Sequence, residues 1–513
     1  MCGILFSNNK SLYESLKPVI KQRGTDWENE IEINESIHYS SVLSIRKPLC
    51  EQPVQINNKI IQFNGELYNE ETIDGNDTAF IVESIEKFGI LKTIGKLRGE
   101  FAYLIRDLKT NEFWFGKDSI GKRSLCFSSN GDISSCWPVD ANERELWEEC
   151  EANFIYHLKN GELNKILLDK NENDQVVNSL EINVDVKDLH QRLKFAVEER
   201  LQTIHPNKHC ANLAILFSGG IDCTLIAGLC GEVLNERSKD GLIHLLNVSF
   251  QNPRAKLGYD DTPDRKLAIK STQELNEKYG PLNVKFELIK INVPYEDYLE
   301  AKSKVMQLIY PNDTEMDLSI AIAFYFASSG GFNDENSNNI NNCNCKVLMS
   351  GLGADELFGG YTRHERIFTE LSNNRRKDIK KGLTLNPINK NDLISLYKEL
   401  RDELQLDIER IWIRNLSRDD KVISTWSKEA RYPFLDVKFI NWVKRHVSLD
   451  YKVSIDDSGK IIRKVFLRKL ANYMGLFGVE NEPKRAIQFG SKSAKMDIGS
   501  GKIKGTDKVI SSQ

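Results

Sequence analysis

The pattern of apolar and polar residues changes near residue 185, and this change predicts two halves of different architecture. Before this point the chain contains short β-prone runs, such as residues 60–63 and 112–115, which end in turns bearing Gly or Asn. After it, apolar residues recur at helical spacing over 190–201, and an apolar run at 213–217 precedes a Gly turn and a second helical run. The order of strand, tight turn and helix is typical of a parallel α/β sheet.

Three segments lack the apolar pattern of a folded element. Residues 170–188 are mostly polar and charged, which favours a linker. Residues 332–345 (FNDENSNNINNCNC) are Asn-rich, and we expect a surface insertion. Within it, Cys343 and Cys345 are expected in a surface loop rather than at a metal site, because no neighbouring His or Cys supplies further ligands. Residues 493–513 are rich in Lys, Gly and Ser, which predicts a frayed tail.

The composition excludes several classes of function. The 513 residues include 70 Lys plus Arg and 74 Asp plus Glu, so a net charge of −4 gives no general attraction to nucleic acid or anionic lipid. The longest apolar run, 320–327, is far shorter than the ~18 residues of a membrane span and predicts a buried helix segment. No secretory signal is visible, and ten scattered cysteines are expected to be reduced thiols in the cytoplasm. We therefore expect small-molecule partners, without nucleic acid or membrane; the sequence identifies no protein partner.

The amino terminus carries a candidate nucleophile. Once the initiator methionine is removed, Cys2 has its own α-amino group beside its thiol, and this amine can act as a general base. Asn64 and Gly65 follow a β-prone run, where a side-chain amide and a backbone N–H can form an oxyanion hole. Arg46 can hold a substrate carboxylate and Asp77 a substrate ammonium. Spacing alone leaves open the alternative that Arg46 and Asp77 are ordinary surface charges.

Two Gly-rich loops in the second half follow apolar strands. In the first, Ser218-Gly219-Gly220-Ile221-Asp222, the glycines let backbone N–H groups approach a polyphosphate, and Asp222 can coordinate Mg²⁺. The second loop, at 350–361, again combines a Gly-rich turn with a carboxylate, Asp355. Asp222 and Asp355 are predicted to lie at the carboxyl ends of parallel strands, where open α/β sheets bind ligands.

Motifs of the first half resemble those of the class II glutamine amidotransferases. They are residues 1–4 (MCGI), Arg23-Gly24, residues 64–69 (NGELYN) and residues 116–121 (GKDSIG). The resemblance implies an N-terminal-nucleophile αββα sandwich with Cys2 as the nucleophile and with Asn64 and Gly65 stabilising the oxyanion. It further implies that glutamine is bound by Arg46, Asn64, Gly65, Glu66 and Asp77. The chain departs from the family pattern at Gln22 and Ser124, where His and Pro are common.

The two loops, together with residues 429–436 (EARYPFLD), resemble the synthetase domain of the asparagine synthetase family. That resemblance implies a parallel-sheet ATP-pyrophosphatase domain that adenylates aspartate with ATP, releases pyrophosphate and lets ammonia displace AMP. It implies Mg²⁺ at Asp222 and Asp355, with Arg418 as a further contact and Arg485 as an alternative to Lys484. The nucleotide-binding residues that it implies are Leu216, Ser218, Gly219, Gly220, Asp222, Val248, Ser350, Gly351 and Lys484.

Residues 414–420 and 483–490 are similar to motifs of the asparagine synthetase domain-containing group of that family. The chain has Leu352 where asparagine synthetases carry Glu, and Asn415 where they usually carry Asp. A Leu side chain takes no proton, and loss of a general base typically costs ~10²–10⁴-fold in rate. Three hypotheses therefore remain open: a glutamine-dependent asparagine synthetase, a degenerate relative that acts as a binding or interaction protein, and an amidotransferase for another carboxylate. The predicted domains are 2–184 (amidotransferase) and 185–492 (synthetase).

Overall fold

The computed structural model describes residues 2–73, 75–168, 184–204, 213–237, 241–331, 342–382, 390–497 and 504–509. Most of the predicted linker at 170–188 and most of the Asn-rich insertion at 332–345 lie outside these ranges. Within the described ranges, no helix has the length and apolar character needed to cross a membrane.

The first half of the chain folds mainly into short antiparallel strands. In chain order the strands are β1 (Gly3–Ser7), β2 (Trp27–Ile33), β3 (Ser36–Val42), β4 (Val54–Ile56), β5 (Lys59–Leu67), β6 (Gly99–Asp107), β7 (Glu112–Lys117), β8 (Cys126–Ser128), β9 (Ile133–Ser134), β10 (Trp147–Glu149), β11 (Phe154–Lys159) and β12 (Glu162–Leu167). The helices of this half are α1 (Lys10–Lys21), α2 (Asp77–Phe88), α3 (Ile90–Ile94) and α4 (Ala141–Arg144).

These strands form two sheets that pack face to face between helices. In the described residues one sheet has the order β10-β8-β9-β1-β3-β2 and the other β12-β11-β7-β6-β5-β4. Side chains of β1, β6 and β7, such as Phe6, Leu104 and Phe115, fill the layer between the sheets. Helix α1 covers the outer face of the first sheet and α2 that of the second. Burial on both faces explains why β1 (GILFS) is apolar almost throughout instead of alternating.

The second half is built around a parallel sheet. Its strands are β13 (Leu213–Leu216), β14 (Gly241–Phe250), β15 (Val284–Val293), β16 (Val347–Met349) and β17 (Glu429–Arg431), followed by the hairpin β18 (Val453–Ile455) and β19 (Ile461–Arg463). The helices are α5 (Val186–Gln202), α6 (Ile221–Glu236), α7 (Pro263–Tyr279), α8 (Tyr295–Ile309), α9 (Glu315–Ser329), α10 (Ala354–Phe358), α11 (Thr362–Arg366), α12 (Thr369–Lys380), α13 (Lys390–Ile411), α14 (Ser417–Ser424), α15 (Val437–His446), α16 (Val465–Tyr473), α17 (Phe477–Glu480) and α18 (Ile487–Gly490).

The strand order places the two Gly-rich loops side by side. Over the described residues the parallel sheet has the order β15-β14-β13-β16-β17, so β13 and β16 are neighbours. The loop at 217–220 connects β13 to α6, and the loop at 350–353 connects β16 to α10. Both loops therefore lie at the carboxyl edge of the sheet. The predicted fold class, an αββα sandwich followed by a parallel-sheet domain, is confirmed.

Two expectations for polar segments differ from the structure. Cys343 and Cys345 are buried, so the prediction of an exposed loop is wrong at these two residues. The expectation of a frayed tail is not met at residues 493–497 and 504–509. Ser493 Oγ donates to the Ser319 carbonyl at 2.6 Å, and the second stretch forms backbone hydrogen bonds with residues 313–316. In both segments the contacts are made with residues that are distant in the sequence, so the local polar composition did not predict them.

Candidate active sites

The first candidate site is built around Cys2, which directly precedes β1. Its thiol is buried, and its backbone nitrogen donates to Asn64 Oδ1 at 2.8 Å. The amide nitrogen of Asn64, Nδ2, is also buried and has no hydrogen-bond partner within the described residues. Asn64 thus holds the backbone nitrogen of Cys2 through its Oδ1 atom, while its Nδ2 atom remains available to donate a hydrogen bond to a ligand.

Gly65 is required by the close approach of β5 to β6. It pairs with Phe101 in register and has φ of +152°. A Cβ atom at this position would lie 2.1 Å from the carbonyl oxygen of Glu100, which is a severe clash. A residue with a side chain would therefore push β5 away from β6 and displace Asn64, its neighbour in β5.

The side chains predicted to bind the substrate's charged groups surround the same cavity and are buried, so the surface-charge alternative is wrong. Arg46 donates to the Glu66 carboxylate and to the backbone carbonyls of Leu67 and Thr72, and its Nη1 lies 3.1 Å from Asp77 Oδ1. Burial, and next the charge of Glu66, raise the pKa of Asp77 well above its usual range. A substrate carboxylate at Arg46 would therefore have to exchange with one of these protein acceptors.

The chemistry of the Cys2 thiol depends on its charged surroundings. Burial raises the pKa of this thiol, whereas the positive amino terminus and a backbone hydrogen bond at Leu43 lower it in part. The carboxylate of Glu429, from the second half of the chain, lines the same cavity. Arg431 Nε donates to Glu429 at 2.8 Å. Burial alone would raise the pKa of Glu429, but the charges of Arg431, the amino terminus and Arg123 together outweigh it and lower that pKa to about 2. Sequence reasoning missed the role of Glu429 and Arg431, although both belong to the motif at 429–436.

The second candidate site is a cleft of about 450 Å³ at the carboxyl edge of the parallel sheet. Most residues predicted to contact the nucleotide or metal line it, namely Leu216, Ser218, Gly220, Asp222, Val248, Ser350, Gly351, Asp355 and Lys484. Gly219 is not among the lining residues and packs the loop against α7. Its φ is +76°, and a Cβ there would lie 2.4 Å from the backbone nitrogen of Ala268.

Four charged side chains lie close together in this cleft: Asp222, Asp355, Lys464 and Lys484. Lys464 Nζ lies 2.6 Å from Asp222 Oδ2 and 2.6 Å from Asp355 Oδ1, so one ammonium group bridges the two carboxylates. Lys484 also donates to Asp355. Burial alone would raise the pKa of Asp355, but the charges of Lys464 and Lys484 outweigh it and hold that pKa well below its usual range. Carboxylate oxygens are ligands that Mg²⁺ prefers, so the donor set fits that ion.

No local sequence pattern predicts a role for Lys464 in this cleft. It lies 109 residues beyond Asp355 in the chain, directly after β19, with φ of +56°. Of the two alternatives at 484 and 485, Lys484 contacts Asp355, while Arg485 also lines the cleft.

The residues that depart from the asparagine synthetase pattern face the same cleft. Leu352 lines it, and its backbone nitrogen donates to Ser350 Oγ at 3.2 Å. Asn415 enters the cleft from a single π-helical turn, Trp412–Leu416. Arg418 also lines it and is held by Asp317 at 3.1 Å.

Asp264, at the start of α7, is a buried acid in this cleft that sequence reasoning missed. Burial raises its pKa to about 7, and the charges of Arg485 and Lys484 offset that rise only in part. Its place at the start of a helix, after Pro263, resembles an ordinary N-terminal acid. An acid after a proline at a helix start is common in helices, so this pattern did not predict that Asp264 lies in a ligand cleft.

Comparisons with known proteins agree with this geometry. The family profile described as asparagine synthase matches residues 188–475, and the glutamine amidotransferase domain profile matches residues 1–137. An asparagine synthetase domain-containing protein of Saccharomyces cerevisiae is 38% identical, covering 98% of this chain and 92% of the relative. Human asparagine synthetase domain-containing protein 1 is 26% identical, covering 97% and 96%. An asparagine synthetase [glutamine-hydrolyzing] of Sandersonia aurantiaca is 25% identical, covering 91% and 82%.

The fold and the two sites define a two-part chain in which an amidotransferase-type sandwich is joined to a parallel-sheet synthetase-type domain. The chain belongs to the asparagine synthase family, in the form that carries an amino-terminal glutamine amidotransferase domain.

Proposed function

We propose that this chain is a glutamine-dependent, ATP-consuming amidotransferase that makes asparagine from aspartate. The observation that carries the proposal is the arrangement at Cys2. Its nitrogen is held 2.8 Å from Asn64 Oδ1, while Asn64 Nδ2 is a buried donor without a partner within the described ranges. This is the arrangement that an amine-activated nucleophile and an oxyanion donor require.

The glutaminase step follows from these atoms. After removal of the initiator methionine, the free amine of Cys2 takes the thiol proton, and the sulfur attacks the side-chain carbonyl carbon of glutamine. The resulting oxyanion accepts hydrogen bonds from Asn64 Nδ2 and from the backbone N–H of Gly65. Collapse of this intermediate expels ammonia with the proton held by the amine, and water then hydrolyses the thioester to release glutamate. Arg46, Glu66 and Asp77 surround the position proposed for the substrate's carboxylate and amine.

The synthetase step uses the cleft of the second half. The side-chain carboxylate of aspartate attacks the α-phosphate of ATP, which gives aspartyl-AMP and pyrophosphate, and ammonia then displaces AMP to form the amide. We assign Ser218, Gly220 and Lys484 to the phosphates. Asp222 and Asp355 would hold Mg²⁺, which neutralises charge on the phosphates when bound. The proposed domains are 2–184 for glutamine hydrolysis and 185–492 for the synthetase.

Leu352 favours a second candidate function. It lines the cleft where a general base would receive a proton from the attacking ammonia, and its side chain has no acceptor. A chain that retains glutamine hydrolysis but makes no asparagine would act on another carboxylate or serve as a binding protein that keeps the fold.

The test supplies amide-¹⁵N-glutamine, ATP, Mg²⁺ and aspartate to the full chain and measures labelled asparagine and pyrophosphate by mass spectrometry and a coupled assay. We expect labelled asparagine that is lost in both Cys2→Ala and Asp222→Asn. Cys126→Ala, a buried cysteine outside both sites, is the matched control and should retain activity. Glutamate and ammonia without asparagine or pyrophosphate would overturn the asparagine assignment and favour the second candidate.

An intact-mass measurement accompanies this assay. We expect the mass of a chain without its initiator methionine, because only then does Cys2 carry a free amine. Retention of that methionine on the purified protein would contradict the proposed glutaminase step.

A further inference from the structure

Three side chains that commonly bind metal ions meet outside both candidate sites. They are His244, on β14, and Cys343 and Cys345, in the segment that leads into β16. One ligand atom from each lies within 4.8 Å of the other two. Cys343 has 0% and Cys345 has 2% of its surface exposed, so the cluster is almost closed to solvent on the thiol side.

The sheet itself brings these residues together. His244 of β14 and Leu348 of β16 both pair with Ala214 of β13, so these three residues lie side by side across the sheet. Cys345 lies three residues before Leu348 and Cys343 five residues before it. A cation bound here would connect β14 to the start of β16 across β13.

The backbone of the two cysteines is fixed from both sides. Cys343 N donates to the Gly330 carbonyl at 2.9 Å, and Gly330 has φ of +70°. The buried ammonium of Lys428 donates to the carbonyl oxygens of Cys343 at 3.0 Å and Cys345 at 2.8 Å. The cysteines are therefore held in one arrangement, and a positive charge lies beside them.

His244 provides an independent observation. Its Nδ1 atom is buried and forms no well-aligned hydrogen bond within the part of the chain that the structure describes, while the imidazole interacts with the Cys343 thiol. Buried polar atoms are nearly always well paired, so an imidazole nitrogen without a well-formed hydrogen bond beside two thiols makes these three side chains a candidate donor set for a metal cation.

We propose that His244, Cys343 and Cys345 bind Zn²⁺. Imidazole and thiolate are the ligands that Zn²⁺ prefers, with Zn–S near 2.3 Å and Zn–N near 2.0–2.1 Å. Sulfurs on a tetrahedral ion at those distances lie about 3.8 Å apart, so the cluster needs only a small contraction from its 4.8 Å limit. Binding replaces the two thiol protons, which pass to solvent. Water fills the fourth position, because three protein ligands leave it open.

The test loads the reduced full-length protein with Zn²⁺ alone, dialyses it and measures zinc per chain by inductively coupled plasma mass spectrometry. We expect one zinc per chain, and none in the double variant Cys343→Ser, Cys345→Ser. His244→Ala should weaken binding by at least about 100-fold, since even substitutions outside the ligand shell cost about 10–100-fold. Cys230→Ala and His446→Ala, which change residues outside the cluster, are the matched controls and should keep the metal.

A second measurement needs no variant and so does not depend on how the substitutions fold. The wild-type protein is alkylated with iodoacetamide with and without Zn²⁺ over a time course long enough for the buried thiols to react through local opening in the zinc-free sample, and peptide masses report each cysteine. Protection of Cys343 and Cys345 by Zn²⁺, with Cys50 labelled equally in both samples, supports the site. The proposal is overturned if the wild type retains no zinc, if the double variant retains as much as the wild type, or if Cys343 and Cys345 are found joined as a disulfide.

Discussion

Arg431 Nη2 donates a hydrogen bond to Glu66 Oε2 at 2.9 Å, and this buried contact joins the two halves of the chain. The backbone carbonyl of Arg431 also accepts from the nitrogen of Ser350, at the start of the second Gly-rich loop, at 3.0 Å. One residue therefore contacts the walls of both candidate sites. Its charge lies between the carboxylates of Glu66 and Glu429, which are buried beside it.

Replacement of Arg431 by Met should destabilise the protein by about 3–5 kcal/mol, because it leaves buried carboxylates without their counter-ion. The free energy of unfolding in urea measures this loss. Adding Glu66→Gln to Arg431→Met should recover part of it, since one of the unpaired charges is then removed. Arg375→Met breaks an ion pair whose carboxylate partner, Asp457, is fully exposed, and it is the matched control, with little effect expected. Equal effects of the two Arg substitutions would contradict this interpretation.

Asn64→Ala should reduce kcat for glutamine hydrolysis by at least about 10²–10³-fold, the usual cost of losing one oxyanion donor, because it also removes the acceptor that holds the Cys2 nitrogen. The KM for glutamine should change little, because the donor acts on charge that develops in the transition state. Glutamate release from glutamine measures both constants. Asn29→Ala, on the exposed side of β2, is the control and should leave kcat unchanged. A rise in KM at constant kcat would instead assign Asn64 to substrate binding.

Local features of the chain account for most of the fold and for the two candidate sites. Asp222 and Asp355 each follow an apolar strand and a Gly turn, and parallel strands necessarily bring such positions to one edge. Cys2 and Asn64 were predicted from the chemistry of an amino-terminal nucleophile and from a resemblance in motif. In these cases the information lies within a few residues of each functional side chain.

The contacts that were missed join residues far apart in the sequence. Lys464 bridges Asp222 and Asp355 from 242 and 109 residues away, and no local pattern marks a lysine for that position. Cys343 was placed on the surface because its neighbours are Asn-rich, yet strand pairing brings it to His244, 99 residues earlier. Long-range pairing of this kind depends on the whole sheet, and a single sequence does not report it.

Asp264 should make stability depend on pH. Burial raises its pKa to about 7 in the folded protein, whereas in the unfolded chain the pKa is near 4. Between about pH 4 and 7 the folded state therefore binds more protons at this residue, so the free energy of unfolding falls as pH rises. Asp264→Asn removes this pH-dependent contribution. The free energy of unfolding of the variant should therefore exceed that of the wild type by an amount that grows to a few kcal/mol between about pH 4 and 7. Urea unfolding at several pH values measures the difference.

The matched control is Asp457→Asn, an exposed carboxylate whose replacement should give a curve parallel to that of the wild type. Glu356 also has its pKa raised to about 7 by burial and then by the charge of Asp355, but it is present in all three proteins and cancels in the comparison. A constant difference between Asp264→Asn and the wild type at every pH would show that Asp264 does not titrate in this range.

Leu352→Glu should raise asparagine formation by up to about 10²–10⁴-fold if the missing base limits the reaction of ammonia with the aspartyl adenylate. The new carboxylate would enter a half-buried wall of the cleft, where it can accept a proton from the attacking ammonia. Leu352→Gln is the matched control, because it has nearly the same shape without a titratable group. Labelled asparagine formed per pyrophosphate released separates the amide step from adenylation. The Glu variant should raise this ratio and the Gln variant should not; equal ratios would mean that proton removal at this position does not limit the reaction.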